Sequence, residues 1–112
     1  MNGLMMNTQL SIASIAEHAE RVNGDVEIVS VMGEKPRHRY TYREAFARTR
    51  KLSEGMARWG LEQGDRIATL AWNDYRHFEI YYAAACSGYV CHTINPRLFP
   101  EQLAYIINHA ED

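Results

Sequence analysis

The 112-residue chain is predicted to be an α/β protein. Two short apolar runs, Arg66 to Trp72 and Tyr89 to Ile94, are dense enough for buried strands, and a helix-length segment separates them. A connection of that length cannot be a hairpin, so the two strands pair in parallel through a right-handed crossover. A third observation is the apolar stripe Ile12, Ile15, Ala16, Ala19 and Val22, whose spacing is helical.

The elements follow in order. The first helix stops before the turn pair Asn23 and Gly24. Glu27 to Val31 contains the β-branched Ile28, Val29 and Val31, and Arg37 to Thr41 follows after Gly33 and Pro36, which suits a small hairpin. Thr41 and Glu44 have the spacing of a capping box, in which a hydroxyl meets a free amide at the helix start and the carboxylate reaches back. The helix that starts there is expected to bury Ala45, Phe46, Thr49, Leu52, Ser53 and Met56, with Trp59 closing its last turn and Gly60 as a left-handed cap. Its basic residues Arg43, Arg48, Arg50, Lys51 and Arg58 read as a solvated face.

Gly64 and Asp65 form a turn that releases the strand containing Ile67, Ala68, Thr69, Leu70 and Ala71, all expected to be buried. Asn73 or Asp74 then caps a helix running through Ser87, with Phe78, Tyr81, Tyr82 and Ala85 on its apolar side, and Gly88 ends it. After the second strand, the loop Asn95 to Phe99 leads to Pro100 in the first turn of a last helix lined by Leu103, Ile106, Ile107 and Ala110. Parallel strands need helices on both faces and further strands beside them, and here the chain stops at Asp112 directly after a helix. The sheet is therefore expected to be unfinished.

Composition excludes several function classes. The chain is 46% hydrophobic and 23% charged, ordinary for a globular protein and wrong for a disordered one. Its net charge of −2 provides no field to draw in nucleic acid. The longest apolar stretches fall far short of the roughly 20 residues of a membrane span. Met1 to Leu10 lacks the basic and apolar regions of a secretory signal, so a cytoplasmic location is expected. Cys86 and Cys91 read as reduced, buried, small hydrophobes rather than a disulfide framework.

No active site assembles from motifs alone. Gly55, Gly60 and Gly64 lack the Lys and Ser or Thr of a phosphate loop, and they lie between a helix and a strand, the reverse of the dinucleotide-binding order. His18, His38, His77, His92 and His109 are scattered singly, without metal-ligand spacing. Cys91 and His92 are strand neighbours that point to opposite faces, which prevents a thiolate pair. Ser87 before Gly88 follows a helix, so it is not a nucleophile elbow.

In sequence order, Thr41-Tyr42-Arg43-Glu44, Gly60-Leu61-Glu62-Gln63-Gly64-Asp65-Arg66-Ile67-Ala68, Trp72-Asn73, Ser87-Gly88-Tyr89-Val90 and Asn95-Pro96-Arg97-Leu98, followed by Glu101-Gln102-Leu103, resemble the N-terminal part of acyl-CoA synthetases. These are adenylate-forming enzymes, and bacterial fatty-acyl-CoA synthetases of medium or long chain preference look nearest. The resemblance runs from about Leu10 to Asp112. It implies a partial N-terminal subdomain of the adenylate-forming fold, with an N-terminal helix, a small β-hairpin and a parallel βαβα unit. Residues 1–112 would then be an incomplete N-terminal part of the large AMP-binding domain, with residues 1–9 disordered.

The activity implied for the whole ligase is formation of an acyl-adenylate from a fatty acid and ATP, then transfer of the acyl group to CoA, with ATP, Mg and CoA required. The family's phosphate loop, magnesium-binding Glu, ribose-binding Asp and mobile Lys match nothing in this sequence, so the 112 residues are expected to be inactive alone and to need no cofactor. Arg97 matches an Arg that lies near the CoA phosphates in some relatives; the competing role is a surface pair with Glu101. The implied partners are the remainder of the ligase chain and a second copy in a homodimer. An alternative of another class is a stand-alone, self-associating binding module derived from the ligase N-terminus.

Overall fold

The structure, a computed structural model, describes residues 3–33 and 36–112. The elements in order are α1 (Ile12–Asn23), β1 (Glu27–Ser30), β2 (His38–Thr41), α2 (Tyr42–Met56), β3 (Arg66–Leu70), α3 (Tyr75–Cys86), β4 (Val90–Ile94) and α4 (Pro100–Ala110). This is the expected α/β arrangement. β1 and β2 pair antiparallel, with Ile28 opposite Tyr40, whereas β3 and β4 pair in parallel from Arg66 opposite Val90 to Leu70 opposite Ile94. Residues 3–10 form neither helix nor strand, and Met1 and Asn2, part of the segment expected to be disordered, lie outside the described residues.

Local chemistry sets the boundaries. Ser11 caps α1 by accepting the Ser14 N–H. The capping box of α2 forms on both sides: Thr41 Oγ1 accepts the Glu44 N–H at 3.3 Å, and the Glu44 carboxylate accepts the Thr41 N–H at 2.8 Å. At α3 the cap is Asp74, whose carboxylate accepts the N–H groups of Arg76 and His77. Gly88 closes that helix at φ 83°, and its carbonyl accepts the Gly64 N–H at 2.9 Å, so the starts of β3 and β4 are held side by side.

The core lies among α1, α2 and α3. Ala45, Phe46, Thr49 and Met56 of α2 are buried against Ala83 and Ala84 of α3. Phe46, Phe78 and Tyr82 pack with ring centroids 4.8 to 6.0 Å apart, and Tyr42 joins from the start of α2.

Several sequence expectations are corrected. α2 ends at Met56, three residues before Trp59, which is exposed on a turn, and Gly60 is left-handed but closes that turn rather than the helix. The buried side of α3 includes Glu79 and excludes Tyr81, because Glu79 is neutralised by a two-pronged ion pair with Arg48, at 2.7 and 3.3 Å. Arg50 likewise grips Glu20 of α1 at 2.7 and 2.9 Å, and Arg43 reaches Asp25, so part of the basic face cross-links elements. Cys86 is exposed and Cys91 half-buried. In β3 only Thr69 is buried, and Leu70 is 55% exposed, because no element among the described residues covers that side of the sheet. No residue of α4 is fully buried for the same reason.

Candidate functional site

Parallel pairing brings the ends of β3 and β4, and therefore the loops that follow them, to one edge of the sheet. Ligands of open α/β sheets bind outside the carboxyl ends of the strands, where diverging loops leave a crevice. Such a crevice of about 340 Å³ is present here, lined by Ala71, Trp72, Asn73 and His77 on the β3 side and by Thr93 to Arg97 on the β4 side.

Both walls are fixed by short-range bonds. Thr69 Oγ1 and His77 Nε2 are 3.0 Å apart, which ties the first turn of α3 to β3. On the other wall Asn95 Oδ1 accepts the Arg97 N–H at 3.0 Å, an Asx turn that sets the path of the loop. The Arg97 side chain turns toward Trp72, with its Cζ 5.2 Å from the ring centroid. Glu101, the partner considered from sequence, makes no ion pair with Arg97 among the described residues. Trp72 and His77 were not singled out as site residues by the sequence; the signal for both is their position just past the end of a parallel strand.

A second polar cluster lies at the junction of the hairpin and the helices. The Tyr40 hydroxyl approaches the Tyr75 carbonyl at 3.5 Å, and burial, helped by the nearby Glu79 carboxylate, pushes the phenol far above its ordinary range. His38 stacks on Tyr75 with centroids 3.8 Å apart. Cys91 faces Thr69, and burial pushes its thiol up despite the hydrogen bond with Thr69. The described residues contain no group of three or more His, Cys, Asp or Glu able to hold a metal ion.

The sequence matches the AMP-binding enzyme family over residues 15–112. The chain belongs to that family. It is 54% identical over 112 residues to a 3-methylmercaptopropionyl-CoA ligase of Ruegeria lacuscaerulensis, covering 100% of this chain and 21% of the relative. Identity to a medium-chain-fatty-acid–CoA ligase of Ectopseudomonas oleovorans is 52% over 112 residues, 100% of this chain and 20% of that one. The chain thus spans about a fifth of the length of these curated relatives.

The fold agrees. The inhibitor-bound N-terminal domain of FACL13 from Mycobacterium tuberculosis superposes with a TM-score of 0.78 at 22% identity, over 91% of this chain and 25% of that one. The helix, hairpin and parallel βαβα unit are therefore those of an N-terminal subdomain of the AMP-binding fold. No helix of the described residues is long and apolar enough to cross a membrane.

Proposed function

We propose that this sequence is the N-terminal part of an AMP-forming acyl-CoA ligase, and that its contribution to the site is the crevice carrying Arg97. The single observation that carries the reading is identity above 50% along all 112 residues to two acyl-CoA ligases. A carboxylate is a poor electrophile, so the ligase reaction first spends ATP to make an acyl-adenylate and pyrophosphate, after which the CoA thiol displaces AMP. No metal ligand and no step of the adenylation half-reaction is assigned to these residues, whose resemblance carries none of the family's motifs for those roles.

Arg97 is assigned to the second half-reaction. Its guanidinium lies at the mouth of the crevice on an exposed loop, and its planar fork can bond phosphate oxygens two at a time, which suits the phosphates of CoA. Pyrophosphate exchange driven by fatty acid is expected to be absent for the 112-residue chain and clear for a ligase that carries it as its N-terminal segment. In that ligase Arg97→Ala is expected to raise KM for CoA about tenfold or more, the loss of one or two charge-assisted hydrogen bonds, with pyrophosphate exchange unchanged. Equal damage to both half-reactions would show that Arg97 does not meet CoA. A fatty acid is proposed as the acyl substrate on the medium-chain relative, with location in the cytoplasm.

A further inference from the structure

Trp72, on the loop that follows β3, is 62% exposed. The local turn does not need its ring. Only its backbone carbonyl takes part, accepting the Asp74 N–H at 2.9 Å, a role any residue supplies. The ring stands instead on the ridge between the crevice that holds Arg97 and a larger groove of about 700 Å³ lined by Val31, Met32, Tyr75 and Arg76. From that ridge it meets the Arg97 guanidinium.

Arg48 and Arg76 also stand over an aromatic ring, that of Tyr75, at 5.9 and 5.8 Å, and differ from Arg97 in having carboxylate partners. Arg76 is paired with Asp74, and Arg48 with Glu79, so their charge is neutralised and part of their N–H groups is used. Arg97 has no carboxylate partner among the described residues, and attraction to an aromatic face consumes no N–H donor. Its charge and all five donors stay available. Asn95 meanwhile fixes the backbone of Arg97 through the Asx turn. Backbone and head group are thus both located before any ligand arrives, which removes part of the ordering cost of binding.

We infer that Trp72 is a positioning residue for Arg97, an aromatic platform that holds the guanidinium unpaired and aimed at a phosphate-bearing substrate. This inference rests on the assignment of Arg97 to the phosphates of CoA. Both partners are exposed, so the contact is a weak one, and its loss corresponds to a change of about two- to fivefold.

The test uses the ligase that carries this segment, with KM for CoA and fatty-acid-driven pyrophosphate exchange measured separately. Trp72→Ala and Trp72→Leu are expected to raise KM for CoA about two- to fivefold, while Trp72→Phe, which keeps a ring, recovers most of the loss. Added to Arg97→Ala, Trp72→Ala is expected to have no further effect, because the residue acts only through the guanidinium. A Leu variant as good as the Phe variant, or additive losses in the double variant, would overturn the platform role. Normal KM in Trp72→Ala beside a raised KM in Arg97→Ala removes this inference alone. Normal KM in Arg97→Ala removes the CoA assignment and the platform with it. Pyrophosphate exchange that collapses in Trp72→Ala and is not rescued by Phe assigns Trp72 to folding and also overturns the inference.

Discussion

At the residue scale, Asp74 does two things at once. It caps α3 and pairs with Arg76, and that pair, reinforced by the His77 and Arg76 N–H groups, holds the carboxyl below its ordinary value of 3.8. Because the folded pKa is the lower one, the stabilisation is present above the unfolded value and fades as pH falls through the folded value. Thermal melts of a ligase that carries this segment are therefore expected to drop as pH is lowered from about 4 toward 3. Asp74→Asn, which keeps an acceptor without the charge, is expected to flatten that decline, and Asp74→Ala to cost about 1 kcal/mol at neutral pH. Unchanged acid sensitivity in Asp74→Asn would place the effect elsewhere. Glu44, whose carboxyl is lowered by its bonds to Thr41, adds in the same direction.

At the element scale, α2 organises the helical layer. It meets α3 through Phe46 and the Arg48–Glu79 pair, and α1 through the Arg50–Glu20 pair. Phe46 is 4% exposed and contacts three aromatic rings. In a ligase that carries this segment, Phe46→Ala is expected to cost about 3 to 5 kcal/mol of stability, read from chemical denaturation, because α2 and α3 cannot both move in to fill the space. A loss under about 1 kcal/mol would mean that the cluster is loosely packed. The ion pairs are weaker contributors: the Arg48 side chain is 55% exposed and that of Arg50 59%, so solvent screens both. Their geometry matters more for registering the helices, since Glu79 is buried and loses its compensating charge without Arg48.

At the scale of the whole molecule, the chain is open. Its accessible surface is 8606 Å², against roughly 6,300 Å² for a folded monomer of 12.9 kDa. The radius of gyration is 16.5 Å, against roughly 13 Å for a compact domain of 112 residues. Leu70, Trp72, Val90, Phe99 and Tyr105 contribute exposed apolar surface along the parallel unit and α4. Such surface drives association. Sedimentation of the purified 112-residue chain is expected to show heterogeneous, concentration-dependent species, because the faces of β3, β4 and α4 have no single complement. A defined dimer with a cooperative melt would favour the self-associating module instead, and a stable compact monomer would contradict both readings.

The helices, the hairpin and the parallel unit were legible in the sequence because their signals are local. Helical spacing in Ile12 to Val22, the Thr41 and Glu44 pair, and Pro100 at a helix start each act within a few residues. Family membership was legible too, through motifs in a fixed order. The misplaced features have a tertiary cause. Hydrophobicity alone extends the helix to Trp59 and puts Tyr81 on the apolar side of α3, and it gives no sign that Glu79 is buried, because an arginine thirty-one residues earlier in the chain cannot be seen as its partner from spacing. Arg97 was found through its motif, whereas Trp72 as its contact depends on two loops meeting at the ends of paired strands. Local pattern and motif order are enough to give the elements, their order and the family. Which charges are buried and which ring faces Arg97 emerge from the packing, because burial and long-range contact depend on how elements pack and not on what each one contains.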